Sequence, residues 1–132
     1  MPAYVVEKLS GALNENKKTI NGSKILILGI AYKKNVDDMR ESPSVEIMEL
    51  LQKHGAIIEY CDPHVPIFPK MRSYNFNLTS VELNPKNLSS YDAVILATNH
   101  DDFDYDMILN NAKIIIDSRG QYRGHYDHVE KA

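Results

Sequence analysis

Lys24-Ile-Leu-Ile-Leu-Gly-Ile-Ala31 is an apolar run that does not alternate with polar residues. Continuity of this kind marks a strand buried on both faces of a parallel sheet, whereas a half-exposed strand alternates. Outward to the N-terminal side, Asn21-Gly22 is a turn signal closing a polar stretch from Asn14 to Ser23. Before that, Tyr4, Val5, Val6, Leu9, Ala12 and Leu13 fall on one helical face, with Glu7, Lys8 and Asn14 opposite. On the C-terminal side a polar loop, Tyr32 to Glu41, leads to Ser42-Pro43. This pair reads as an N-cap followed by proline at the first helical position, where its missing N–H costs nothing. Val45, Ile47, Met48, Leu50 and Leu51 give that helix a buried face, and His54-Gly55 ends it. Ala56 to Cys61 is a second strand, stopped at Asp62-Pro63 because the residue before proline avoids the helical region.

The βαβ unit so defined is extended by a weak edge strand at Leu78 to Leu83, a helical turn at Pro85 to Ser90, a buried strand at Asp92 to Thr98, a short helix at Tyr105 to Asn111 and a strand at Lys113 to Asp117. Strands alternating with helices predict an α/β fold: a Rossmann-like, doubly wound parallel sheet in three α/β/α layers, preceded by an N-terminal helix. The tail, residues 125–132, is expected to fray. With 132 residues the chain holds one domain. The apolar runs are far shorter than the roughly 20 residues of a membrane span, and a net charge of −3 offers no footprint for nucleic acid or anionic lipid. One cysteine and no signal-like N-terminus make the cytoplasm the default.

Ligands of open parallel sheets bind beyond the carboxyl ends of the strands, where the strand order reverses. Three loops qualify: Tyr32 to Glu41, Asn99 to Asp104 and Ser118 to Gln121. The first carries Lys33, Lys34 and Arg40 toward a helix start, an arrangement suited to a diphosphate, although a charged loop can equally be solvated. Gly29 alone does not make the glycine cluster with which a dinucleotide-binding turn touches a pyrophosphate. Cys61 lies among acids, in Glu59-Tyr-Cys-Asp62, which disfavours a thiolate and makes it structural. Asp101, Asp102, Asp104 and Asp106 lack the glycine and terminal glutamate of a calcium loop, and no metal is expected.

Gly29-Ile-Ala-Tyr-Lys-Lys-Asn-Val-Asp-Asp-Met-Arg-Glu-Ser-Pro-Ser44 resembles the signature that opens the C-terminal domain of the UDP-glucose/GDP-mannose dehydrogenase family. Tyr60-Cys-Asp-Pro-His64, Tyr91 to Thr98 with His100 and Phe103, and Ile116-Asp-Ser-Arg-Gly120 resemble later motifs of that domain, in the same order. Asp62-Pro-His-Val-Pro66, Phe68-Pro-Lys-Met71 and Asp117 to Gly120 look most like the bacterial branch acting on UDP-N-acetylhexosamines, such as UDP-N-acetylglucosamine 6-dehydrogenases.

The resemblance implies a protein that oxidises the C6 alcohol of a nucleotide sugar to a carboxylate for polysaccharide biosynthesis, using two NAD+ and a cysteine upstream of Met1. It implies that residues 1–20 are the end of a connecting helix and linker, and that residues 21–124 are the UDP-sugar-binding domain. NAD would sit mainly on a separate N-terminal domain, and the whole protein would be a homodimer or larger. Carried over by motif position, Tyr32, Lys33 and Arg119 are substrate-binding and Arg40 reaches the cofactor; no catalytic residue falls in this chain. Lys33 and Arg119 are expected on loops after neighbouring strands. The Tyr4 to Leu13 face is expected to lie uncovered without a central region to pack on. A stand-alone NAD-binding domain and a non-catalytic interaction module are the competing readings, separated by titrating UDP and NAD individually.

Overall fold

The computed structural model describes residues 2–31, 43–68 and 78–132. In chain order the elements are α1 (Pro2–Glu15), β1 (Lys24–Leu28), α2 (Pro43–Lys53), β2 (Ile57–Cys61), α3 (Pro85–Ser90), β3 (Ala93–Leu96), α4 (Tyr105–Asn111), β4 (Ile115–Asp117) and β5 (Val129–Lys131). They form one sheet in the order β2-β1-β3-β4-β5, and every neighbouring pair is parallel. The chain leaves β1 toward β2 on one side and returns to β3 on the other, so the order reverses between β1 and β3.

Alternation along each strand divides the core in two. Ile25, Ile27, Tyr60, Ile95 and Ile116 face α1 and α2, meeting Leu9, Leu13, Met48 and Leu51. Leu26, Leu28, Cys61, Val94 and Ile115 face the other way, onto Leu88 of α3 and Ile108 of α4. Every residue of β1 after Lys24 is buried, as the unbroken apolar run requires. The result is the expected three-layer fold with its preceding helix. No helix among the described residues is long and apolar enough to cross a membrane.

Three local expectations are corrected. Most of the apolar face of α1 is covered: Val5, Val6, Leu9 and Leu13 are buried within the domain's own core, and Tyr4 at its start remains exposed. Each contributes about 1.5–3 kcal/mol of hydrophobic stabilisation. The segment from Leu78 to Leu83 is not a strand; it makes only isolated bridges, Tyr60 with Ser80 and Ile67 with Thr79. The tail does not fray. Val129–Lys131 pairs with β4, with Ile115 N donating to His128 O at 2.8 Å and Ala132 N to Asp117 O at 3.0 Å. Its polar, short sequence gave no periodic signal, and an edge strand needs little apolar content when one neighbour supplies the ladder.

Candidate ligand-binding site at the carboxyl edge

Register places Leu28, Cys61, Leu96 and Asp117 side by side, so four loops leave the sheet along one edge. At the reversal point the exit of β1 is fixed from both flanks. Gly29 has φ +83° and donates its N–H to Cys61 O at 2.9 Å. A Cβ there would stand 2.5 Å from Thr98 Cβ, so only glycine lets the two backbones approach so closely.

One residue further, the fully buried Asp62 carboxylate accepts from Ile30 N at 2.8 Å and Ala31 N at 3.1 Å on Oδ2, and from His64 N at 2.8 Å on Oδ1. His100 Nε2 lies 2.9 Å from the same Oδ2. An ionised carboxylate only accepts, so Nε2 carries the proton of this bond. Burial pushes the Asp62 pKa up, but the hydrogen bonds from His100, Ile30 and His64 outweigh it and hold the carboxyl below its ordinary value. Thr98 Oγ1 donates to Ala31 O at 2.7 Å. His64 packs against His100 with ring centroids 4.6 Å apart and planes tilted by 45°, and its Nε2 stands 3.0 Å from Asp102 Oδ2 without hydrogen-bond geometry.

The second half of the edge gathers around Arg119. Its guanidinium does not pair with Asp117; Nε donates to Ala97 O at 2.7 Å. The Asp117 carboxylate is occupied by the turn itself, accepting from Arg119 N at 3.0 Å and Tyr122 N at 2.8 Å. Arg119 follows β4, which is separated from β1 by β3, so the expectation of neighbouring strands is corrected. The bond to Ala97 turns the side chain back toward β3 and the reversal point. There Arg119, Ser118 and Ala97 border a cavity of about 150 Å³ with Ser44 and Ile47 of α2 and Val5 of α1. Ser44 is fully buried in the first turn of α2, and its hydroxyl has no hydrogen-bond partner among the described residues. A helix start, a buried hydroxyl and a guanidinium on one cavity suit an oxyanion. A larger groove of about 520 Å³, between Val6, Ile20, Leu50 and His54, opens at the amino end of the strands, away from this edge.

Of the residues singled out from sequence, Tyr32, Lys33 and Arg40 lie outside the described residues, as do Lys34 and the Ser42 cap. Cys61 is buried at the end of β2, and burial pushes its thiol up to about 11 against a lesser lowering by the Ser80 hydrogen bond. Asp104 caps α4, its Oδ1 accepting from Met107 N at 3.1 Å.

The sequence profile of the UDP-glucose/GDP-mannose dehydrogenase family, UDP binding domain, matches residues 26–124. The chain belongs to this family. Within the UDP-glucose/GDP-mannose dehydrogenases it is 36% identical over 103 residues to UDP-N-acetyl-D-mannosamine dehydrogenase of Methanococcus maripaludis, covering 78% of this chain and 22% of that protein. It is 28% identical over 103 residues to UDP-N-acetyl-D-glucosamine 6-dehydrogenase of Pseudomonas aeruginosa, again 78% of this chain and 24% of the relative. The fold matches the structure of UDP-D-ManNAc dehydrogenase from Pyrococcus horikoshii with a TM-score of 0.76 at 23% identity, over 98% of this chain and 30% of that one. The chain thus spans about a quarter of the length of these curated relatives.

Sequence reasoning missed two parts of the edge. In the sequence Asp62 reads as a strand stop, an acid beside Cys61 and part of a motif, none of which gives its hold on the neighbouring backbone; an acid placed directly after a buried strand, within reach of the neighbouring strand's free N–H groups, is the available signal. Ser44 was read only as part of a motif. A hydroxyl left without a partner has no sequence signature, because its isolation depends on which elements close around it.

Proposed function

We propose that this chain is the nucleotide-sugar-binding part of an NAD-dependent UDP-sugar 6-dehydrogenase, acting in the cytoplasm on a UDP-N-acetylhexosamine or UDP-glucose. The net reaction takes a primary alcohol, water and two NAD+ to a carboxylate, two NADH and three protons. The observation that carries this reading is the cavity shared by Arg119 and Ser44 at the start of α2, on the carboxyl edge of a sheet whose family profile is a UDP-binding domain. Arg119 and the Ser44 hydroxyl hold the diphosphate, and Lys33 and Tyr32 complete the site. At Gly29 the close approach of backbone that a dinucleotide's diphosphate needs is taken by Thr98. NAD therefore belongs to another part of the protein, with Arg40 reaching toward it, and residues 1–20 lead in from that part. The high thiol pKa keeps Cys61 protonated at neutral pH, which supports a nucleophile outside this chain.

Calorimetric titration of the chain with UDP and with NAD tests the proposal. UDP binds and NAD does not. Arg119→Ala and Lys33→Ala each weaken UDP binding about tenfold or more, as loss of a charge-assisted hydrogen bond does, while Lys34→Ala changes it little. Equal losses for the two lysines reduce the site to general electrostatic attraction, and an NAD affinity above that for UDP replaces the reading by a dinucleotide-binding domain.

A further inference from the structure

The cavity at the start of α2 is too small for a nucleotide. Its volume of about 150 Å³ lies below the roughly 300–1,000 Å³ of pockets that enclose a drug-sized ligand. A base and a ribose stay outside such a space, and one phosphorus with its oxygens is what enters it. One wall is apolar, made by Val5 of α1 and Ile47 of α2, and no carboxylate borders the cavity among the described residues.

The polar side is selective in what it leaves open. Ser118 Oγ already donates to Leu96 O at 2.7 Å, so it is committed to the end of β3. Ser44 Oγ has no partner among the described residues, although the residue is fully buried. Arg119 is fixed through Nε on Ala97 O, which leaves the terminal nitrogens of its guanidinium for parallel bonds to an oxyanion. Asp117, the acid nearest to it in sequence, accepts from Arg119 N on Oδ1 and from Tyr122 N on Oδ2, so both carboxylate oxygens serve the turn. The N–H groups in the first turn of a helix lack intrahelical partners and carry the positive end of its dipole. A fork of cationic donors, an unused hydroxyl and a helix start together fit a tetrahedral phosphate.

We infer that this cavity is a single-phosphate pocket: it takes free orthophosphate as well as one phosphoryl group of the nucleotide, so that the two compete for it. This rests on the reading that Arg119 and Ser44 hold the nucleotide's diphosphate. The donors described at the cavity address oxygens alone. Orthophosphate offers them the same oxygens with more negative charge than a phosphoryl group esterified on both sides, and without the bulk that must remain outside. Loading of the domain with nucleotide then falls as orthophosphate rises.

Calorimetry on the complete chain tests this, with orthophosphate and UDP as probes and sodium chloride at matched ionic strength as the control for screening. Orthophosphate binds, and at about ten times its own dissociation constant it raises that of UDP about tenfold, whereas chloride does not. Ser44→Ala and Arg119→Ala each weaken orthophosphate binding about tenfold. Ser44→Ala removes no side-chain hydrogen bond seen among the described residues, so it serves if Arg119→Ala does not fold. UDP binding that is indifferent to orthophosphate, or weakened as much by chloride, overturns the inference and leaves the nucleotide-sugar reading intact. Orthophosphate binding that survives both substitutions does the same. Orthophosphate bound without any binding of UDP removes the nucleotide reading, and the competition with it.

Discussion

Among the described residues the buried hydroxyl of Ser44 has no partner, and it stands in the first turn of a helix where alanine has the higher propensity. An unpaired buried hydroxyl costs about 1–3 kcal/mol, so this side chain lowers the stability of the unliganded fold. A group of this kind earns its place through a ligand, and the two properties then move in opposite directions on substitution. Ser44→Ala is expected to raise the unfolding midpoint by about 3 °C or more. The same substitution weakens UDP binding about tenfold. Thermal unfolding followed by circular dichroism, paired with calorimetry on the same sample, checks both signs; a lower midpoint with unchanged affinity would assign Ser44 to packing.

At the scale of elements, legibility followed burial. β1 was readable because Ile25 to Leu28 are buried from both sides, which demands an apolar residue at every position. α2 was readable from Pro43 and the spacing of Val45, Met48 and Leu51. β5 was not, since Val129 is half-buried while Glu130 and Lys131 are exposed, and three such residues resemble a disordered terminus. Its formation depends on an unpaired edge of β4 offered from elsewhere in the chain. The ladder bonds and the half-buried Val129 together contribute about 1–3 kcal/mol. Deleting Val129 to Ala132 should therefore lower the urea midpoint by that equivalent and leave UDP affinity unchanged. A deletion with no effect on the midpoint would show that the strand pairs without adding stability. The same logic explains the site: Arg119 was legible from its motif, but its turn toward Ala97 depends on which strand lies between β1 and β4, and topology at that level is absent from local pattern.

For the molecule as a whole, the acid limb of stability is set by carboxylates held below their ordinary pKa. Asp62 is one. Asp92 is another, lowered by the hydrogen bonds from Lys18 and from Lys24 N. In the unfolded chain such groups take up a proton near pH 4, while in the folded chain they stay ionised to lower pH. Between those limits the unfolded state binds more protons, so their contribution, fully present at neutral pH, is lost as pH falls from about 4 through the folded values. Urea midpoints measured from pH 5 to pH 2 should fall steeply for the wild type and less steeply for Asp62→Asn; parallel curves would show that this carboxylate does not govern the acid limb.

The sheet ends on one side at β5, whose outermost residues are an acid and a base, and on the other at β2, where Val81 N donates to Tyr60 O and Ser80 bridges Tyr60. An incoming strand from another molecule would have to dehydrate Glu130 and Lys131 on one margin and displace the 80–81 segment on the other. By this physics both margins oppose strand-by-strand polymerisation, with the charged residues before Ala132 on one side and the 80–81 segment on the other.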